Sequence, residues 1–265
     1  IARIWLSENR DFFIGRSFCD QCKSLYSKLR LLFGGITLPL PTTSGPYIHE
    51  YLDRLREVLA DVGSRYARQC IVRFDLHFPQ GLYKPDPSSI SRFFHRLQRE
   101  IANDQKKRPR CYSCEISYCW AAEQDRSVNQ HYHVALFLNK DAYYGLGRYP
   151  STGFADEIVL ENARGLAHCI LRAWAHALWL HPRDVLGCVF FAFNGVYHLD
   201  RNSQIWSHQF LAAFERIRYL AKARTKKYGT DYRSFGSSRT RQRSEEELQQ
   251  LLPPQLPEEW EGMCF

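Results

Sequence analysis

Apolar and polar residues alternate along three stretches of the chain. This period of two predicts β-strands, because successive side chains of a strand point to opposite faces. The stretches cover residues 71–79, 112–123 and 131–138. Seven residues separate the second stretch from the third, which favours an antiparallel hairpin. Residues 188–193 are predicted to form a fourth, buried strand.

Apolar residues spaced three and four positions apart predict four helices. They cover about residues 48–62, 90–103, 166–178 and 206–226. Pro and Ser residues at 85–89 precede the second helix and Pro182 follows the third, as expected of helix boundaries. In the last helix Phe210 and Ile217 lie on the apolar stripe, whereas Tyr219 falls roughly opposite it.

The element order β-α-β-β-α-β predicts an α+β fold of the ferredoxin-like, split βαβ kind, with an antiparallel sheet and two helices on one face. In that topology the first and third strands are central neighbours, so their polar faces would lie side by side and form a polar patch on the side away from the two helices. We expect three segments: a partly helical extension and linker over residues 1–45, a main domain over 46–243, and an acidic, proline-containing tail over 244–265.

The third strand carries a candidate metal site. His131 and His133 project from one face of it, and Glu123 ends the preceding strand. Two imidazoles and a carboxylate give three ligands with open positions, and by ligand softness they suit zinc better than manganese or magnesium. The alternative is a polar strand surface on which histidines happen to fall. Cys19-x-x-Cys22 and Cys111-x-x-Cys114 have zinc-ligand spacing too, but 88 residues separate the pairs.

Composition restricts the environment and the partner. Nine cysteines scattered through apolar segments favour buried thiols in a reducing cytoplasm. No apolar run is long enough to span a bilayer, so no membrane partner is expected. The formal charge is +8, and residues 214–243 hold ten Lys/Arg against two acids. A concentrated basic segment predicts a polyanion partner, the alternative being a solvated basic face.

Tyr219 is a candidate nucleophile within that basic segment. It shares a helix face with Lys222, three residues on. A phenol is a weak nucleophile at its ordinary pKa, and a neighbouring ammonium or metal ion would stabilise the phenolate. The alternative is a partly exposed tyrosine that covers a loop or the tail.

These residues form a pattern similar to that of a known superfamily. The run Asp75-Leu76-His77-Phe78-Pro79, then Glu123 with His131-Tyr132-His133, then Tyr219-Leu220-Ala221-Lys222 resemble, in order, the three motifs of the HUH endonucleases, which initiate rolling-circle replication. The runs Tyr197-His198-Leu199-Asp200-Arg201-Asn202 and Tyr232-Arg233-Ser234-Phe235-Gly236 are more closely similar to the replication proteins of filamentous phages (inoviruses), including prophage YagK/YfjJ-type domains. The resemblance covers about residues 46–240.

The resemblance implies a bacterial, metal-dependent nickase and strand transferase acting on single-stranded origin DNA. It implies Mg²⁺ or Mn²⁺ held by Glu123, His131 and His133, with Tyr219 forming a 5′-phosphotyrosine link beside Lys222. The predicted DNA-binding residues are Arg73, Asp75, His77, Arg218, Lys226, Lys227 and Arg233.

Two departures and two alternatives accompany that expectation. Residue 223 is Ala and Tyr228 is too far along, which favours a one-tyrosine mechanism. Asp75 and His77 stand where many relatives carry hydroxyls, so either is a candidate extra ligand. A prophage DNA-binding protein that has lost the chemistry is the main alternative. A zinc hydrolase is disfavoured because His-x-His on a strand is not the helical His-Glu-x-x-His arrangement.

Overall fold

A computed structural model describes residues 47–79, 86–123, 131–148, 164–222 and 233–253. These residues belong to one compact unit that begins at residue 46. The expectations for residues 1–45, for Lys226 and Lys227, and for the end of the acidic tail lie outside the described residues.

The described residues form five strands and five α-helices. The strands are β1 (Arg68–His77), β2 (Ser117–Glu123), β3 (His131–Asn139), β4 (Val189–Asp200) and β5 (Phe235–Ser237). The helices are α1 (His49–Arg65), α2 (Ser89–Lys106), α3 (Leu166–Ala177), α4 (Trp206–Ile217) and α5 (Glu245–Leu251). Two 3₁₀ helices, Pro182–Cys188 and Arg218–Ala221, precede β4 and follow α4.

The strands make one antiparallel sheet in the order β4-β1-β3-β2-β5. The α+β class and the antiparallel sheet are therefore confirmed. The pairing of β1 with β3 in the middle of the sheet is confirmed as well, and so is the antiparallel pairing of β2 with β3.

One face of the sheet packs against α2 and α3. Apolar side chains of β1 and β3 interlock there with those of the two helices in a buried cluster that includes Phe74, Leu136, Phe93, Leu97 and Trp174. Trp174 also donates from its indole nitrogen to the His77 carbonyl, 2.9 Å away. This is the apolar face that the alternation pattern predicted.

The opposite face of the sheet is covered over much of its area by two helices. Helix α1 contacts β1, β2 and β3, and α4 contacts β4 and β1. On this face Ile71 of β1 lies opposite Phe137 of β3, and both side chains are fully buried. The charged and histidine side chains of this face lie towards the other ends of β1 and β3; they are Arg73, Asp75, His77, His131 and His133.

Three predicted element boundaries were wrong, and tertiary contacts account for each difference. The segment before β2 is irregular, since the Gln98 side chain of α2 binds the Ile116 amide and the Cys114 carbonyl. Strand β4 is longer than predicted because it pairs with β1 as far as Asp200. It lies at the edge of the sheet and is only half-buried. Helix α4 ends at Ile217 rather than near residue 226.

The residues just before α1 pair through their backbone with the residues that follow α4. The Ile48 amide donates to the Ala221 carbonyl at 2.8 Å, and Tyr47 forms an isolated β-bridge with Lys222. Lys222 is already extended, with ψ of 133°, so the 3₁₀ turn stops there. Tyr219 consequently lies in a tight turn fastened to the start of α1.

Residues 233–251 return to the sheet and to α1. Strand β5 pairs with β2, and the Phe235 ring stacks on Tyr51 of α1 with centroids 4.2 Å apart. Helix α5 begins at a capping box formed by Ser244 and Glu247 and contacts α1. The described part of the acidic segment is therefore helical.

Two expectations drawn from composition concern thiols and membranes. The six cysteines within the described ranges are free, and five of them are buried. None of the helices seen in those ranges has the length and apolar character needed to cross a bilayer.

Candidate metal and nucleophile site

Strand register brings the predicted ligands together. His131 of β3 lies opposite Glu123 of β2 on one side and His77 of β1 on the other. His133 lies opposite Asp75 of β1. Residues directly opposite in antiparallel strands share a face of the sheet, so all five side chains project from the same side.

Glu123, His131 and His133 converge on a common point. One ligand atom from each lies within 4.8 Å of the other two, and within the described ranges no other set of three or more His, Cys, Asp or Glu side chains does this. His133 Nε2 is 2.9 Å from Glu123 Oε2 and 3.2 Å from His131 Nε2. The described cysteines, Cys111 and Cys114 included, belong to no such group.

The donor set fits a divalent ion. Two imidazole nitrogens and one carboxylate oxygen are the ligands of catalytic sites that keep a position open for substrate. Glu123 is 3% exposed and His133 is 7% exposed, so the surrounding protein excludes most solvent from these ligands. A buried carboxylate beside one buried and one half-buried imidazole suits a bound cation, because an uncompensated carboxylate charge costs free energy in the interior.

Burial and neighbouring charges give the two histidines different proton affinities. Burial, together with His133 and His77, lowers the pKa of His131 to about 3, so this imidazole is neutral and keeps a lone pair. Burial alone would lower the pKa of His133 as well. The carboxylate of Asp75, aided by a hydrogen bond to Glu123, outweighs that and raises the pKa of His133 above its ordinary value.

Asp75 and Arg73 lie beneath His133. Asp75 Oδ1 is 2.7 Å from His133 Nδ1, and Arg73 forms an ion pair with the same carboxylate oxygen. Burial alone would raise the pKa of Asp75, but Arg73 and His133 hold it far below its usual range. Arg73 is only 6% exposed. Little of either side chain is open to a polymer, and the predicted DNA-binding role of both stays a prediction.

Tyr219 lies against the candidate metal ligands. Its ring meets the His133 ring edge to face, with centroids 5.2 Å apart. The Lys222 ammonium is 4.2 Å from the centre of the tyrosine ring, and the Arg73 guanidinium is 5.9 Å from it. The structure thus brings together the residues predicted as metal ligands, nucleophile and electrostatic partner, whose roles stay predictions.

The remaining predicted residues lie in different surroundings. His77 stacks on His131 with centroids 5.1 Å apart, and its pKa is lowered by burial. Arg218 is buried, pairs with Glu215 at 2.5 Å and lies over the Tyr47 ring. Arg233 is exposed.

Tyr143, Tyr144 and Tyr149 follow β3 in the sequence, and aromatic side chains there are candidates for stacking on nucleic-acid bases. Tyr143 is buried and donates a hydrogen bond to Asp104, whereas Tyr144 is 70% exposed. Tyr149 lies outside the described residues. Tyr144 therefore stays a stacking candidate and Tyr143 does not.

Arg216 is a further residue near the candidate site that was not predicted from the sequence. Its pKa is lowered first by burial and next by the positive charge of Arg73, and it also interacts with the charges of Asp75 and Tyr219. Arg216 therefore belongs to the same electrostatic neighbourhood as the candidate nucleophile. The signal was present in the sequence, since Arg216 precedes Tyr219 by three residues, the spacing of neighbours on a helix face.

Comparison with known proteins identifies relatives over most of the chain. Two proteins of Escherichia coli (strain K12) are similar. "Uncharacterized protein YagK" is 34% identical over 209 residues, which cover 74% of this chain and 95% of the relative. "Uncharacterized protein YfjJ" is 31% identical over 211 residues, which cover 74% of this chain and 96% of the relative. No solved structure matches the chain at a significant level. Residues 40–238 match the profile of one family, and the chain belongs to that family, the YagK/YfjJ C-terminal domain family.

Proposed function

We propose that this protein is a metal-dependent single-strand DNA nickase and strand transferase of the HUH type, which initiates rolling-circle replication. The observation that carries the proposal is the contact between Tyr219 and His133, a member of the Glu123, His131 and His133 cluster. A tyrosine whose ring meets that of a possible metal ligand edge to face suits a phosphotyrosine mechanism, because nucleophile and Lewis acid must act on one phosphate.

The charges around Tyr219 favour a phosphodiester substrate. Arg73 and Lys222 flank its ring, and Arg216 interacts with it electrostatically. Several cations around one nucleophile would stabilise both a phenolate and the negative charge of a phosphate under attack. The overall charge of +8 would attract a nucleic acid over a longer range.

The proposed reaction is a transfer of the phosphoryl group to Tyr219. Its phenol oxygen forms a bond to phosphorus, and the bond from phosphorus to the 3′ oxygen of the preceding nucleotide breaks. The phenol loses one proton and the departing 3′ oxygen gains one. A Mg²⁺ or Mn²⁺ ion held by Glu123, His131 and His133 would polarise a phosphoryl oxygen. The free 3′-hydroxyl can then prime DNA synthesis.

The topology and composition are compatible with this proposal. The order β4-β1-β3-β2 within the sheet is that of a ferredoxin-like split βαβ unit, with α2 and α3 as the two helices on one face. The buried thiols fit the reducing cytoplasm of a bacterial host. Only one tyrosine of the described residues contacts the histidine cluster through its ring, which favours a single nucleophile.

Substitution of the two histidines tests the proposal. A His131→Ala/His133→Ala variant removes two of three candidate ligands, so nicking of single-stranded DNA in the presence of Mn²⁺ should fall below detection. Binding measured by gel shift should persist and weaken steeply with salt, because cationic side chains outside the cluster contact the phosphates.

The matched control replaces His49 and His95, which are exposed on α1 and α2. His49→Ala/His95→Ala should nick like the unaltered protein. Equal nicking by both double variants would contradict a metal role for the cluster. Salt-sensitive DNA binding without nicking under any divalent metal would leave the alternative, a DNA-binding protein that lacks the chemistry.

A further inference from the structure

The carboxylate of Asp75 lies on the side of the His133 ring that faces away from the candidate ion position. Asp75 Oδ1 is 2.7 Å from His133 Nδ1, and the Glu123 carboxylate is 2.9 Å from Nε2 of the same ring. The two carboxylates therefore use different nitrogens. Asp75 is not a member of the group whose ligand atoms converge.

We propose that Asp75 is a positioning residue, which accepts a hydrogen bond from the Nδ1–H of His133 and thereby presents the Nε2 lone pair to a divalent transition-metal ion. This inference rests on the metal site of the proposed function. A neutral imidazole has one protonated nitrogen and one lone pair, so fixing the proton on Nδ1 leaves Nε2 as the ligand atom.

The position of Arg73 makes the choice of tautomer consequential. Arg73 Nη2 is 2.6 Å from the same His133 Nδ1. A guanidinium can only donate, so a hydrogen bond from Arg73 would need a lone pair on Nδ1. The proton would then be on Nε2, where it would block the ion. Asp75 and Arg73 thus favour opposite tautomers of the same ring.

The other contacts of Arg73 favour the His133 tautomer that binds Asp75. Its Nη1 forms the ion pair with Asp75 and donates to the Phe74 carbonyl at 2.7 Å. These two bonds keep the guanidinium in place and stabilise the ionised carboxylate, which is the stronger acceptor for the Nδ1–H. Without the carboxylate, Arg73 would be left as the partner of Nδ1 and the ring would turn its protonated nitrogen to the ion.

Mn²⁺ affinity of an Asp75→Asn variant, measured by calorimetry, tests this inference. Loss of an outer-shell partner typically weakens metal affinity by about 10- to 100-fold, and we expect a decrease in that range. The matched control is Asp61→Asn. Asp61 of α1 has a similarly shielded side chain, 13% exposed against 15% for Asp75, and it pairs with Arg65 of the same helix and with Arg243. Its replacement should leave Mn²⁺ affinity unchanged.

Equal Mn²⁺ affinity in Asp75→Asn and the unaltered protein would overturn the inference, as would an unaltered protein that binds no Mn²⁺. If Asp75→Asn does not fold, the tautomer of His133 is read in the unaltered, zinc-loaded protein by long-range ¹⁵N–¹H NMR. Nδ1–H with a metal-bound Nε2 supports the inference, and the reverse assignment contradicts it. Mn²⁺ binding that depends on Asp75, in a protein that nicks no DNA, would remove the proposed function and leave this inference standing.

Discussion

Two histidines on one strand, His131 and His133, differ in proton affinity because they have different neighbours across the sheet. His131 lies opposite His77, and the two rings stack, so a charge on one disfavours a charge on the other. His133 lies opposite Asp75 and contacts it directly. Cross-strand register therefore determines which of the two imidazoles has the higher pKa in the protein without metal.

This difference predicts how many protons leave when an ion binds. A metal ligand must be a neutral imidazole. The pKa of His131 is lowered to about 3, so that ring is already neutral near pH 7 and releases no proton when it binds an ion. The pKa of His133 is raised above its ordinary value, so binding of Mn²⁺ below that pKa should release about one proton, and the number should fall towards zero as pH rises through it.

Calorimetry of Mn²⁺ binding in buffers of different ionisation enthalpy measures this number directly. Mn²⁺ affinity should rise with pH over the same interval and then level off. A proton count that stays constant with pH, or that increases above neutrality, would contradict the assignment of His133 as the titrating ligand.

At the residue scale, alternation along the strands was enough to predict the polar faces and the three candidate ligands. It was not enough to predict that Asp75 lies opposite His133, because alternation gives faces while register depends on which strands pair and where. The role of Arg73 was hidden for a similar reason. An arginine on a polar face suggests a solvent or DNA contact, whereas its carboxylate and carbonyl partners are known only from the fold.

At the scale of the elements, periodicity predicted the presence of α1 to α4 and β1 to β4, and tertiary contacts changed several of their ends. The Gln98 side chain takes backbone groups of residues 114–116 away from strand pairing. Tyr47 and Ile48 likewise take the backbone groups at Ala221 and Lys222 and so replace a longer α4. Such partners are distant in sequence and leave no periodic signal.

Strand β5 is short and was not predicted, yet it covers the edge of the strand that carries Glu123. Gly236 of β5 pairs with Trp120, and a Cβ atom at Gly236 would lie 2.6 Å from the indole ring. A side chain at this position would force the indole ring or the strand to move. The amide of Ala122, next to Glu123, donates to the Ser234 carbonyl at 2.9 Å, so β5 also supports the end of β2.

Gly236→Ala should therefore displace β5 and lower the free energy of unfolding by about 1–3 kcal/mol, the usual cost of overpacking. Urea denaturation measures it. Gly145→Ala is the control, because a Cβ there would have no atom within 4 Å and should leave the transition almost unchanged. Identical urea midpoints for the two variants would contradict this prediction, because β5 would then accommodate the extra methyl group without loss of stability.

At the scale of the whole molecule, the sheet separates packing from candidate chemistry. One face is apolar along its length and packs on α2 and α3, and the other is apolar under α1 but polar where β1 and β3 meet the turn after α4. The two helices on the second face therefore leave the candidate site uncovered by helix. The 3₁₀ turn that follows α4 places Tyr219 beside His133. Membership of the YagK/YfjJ C-terminal domain family covers the whole of this arrangement.

Charge completes the account at this scale. The basic segment that begins in α4 contributes Arg216 and Lys222 to the surroundings of Tyr219, and the chain as a whole carries a charge of +8. Together with Arg73, these cationic side chains give the candidate nucleophile a positively charged neighbourhood. We propose that Tyr219 attacks a phosphate of single-stranded DNA.

The most direct test of this claim is the covalent link itself. Single-stranded DNA of randomised sequence, labelled at the 3′ end, is incubated with the protein and Mn²⁺, and adducts that survive SDS are digested and mapped by mass spectrometry. We predict a nucleotide 5′-phosphate on Tyr219, no adduct with Tyr219→Phe, which keeps the ring and removes the attacking oxygen, and an unchanged adduct with Tyr228→Phe or Tyr232→Phe. A link that maps to Tyr228 or Tyr232, or that persists in Tyr219→Phe, would contradict the account.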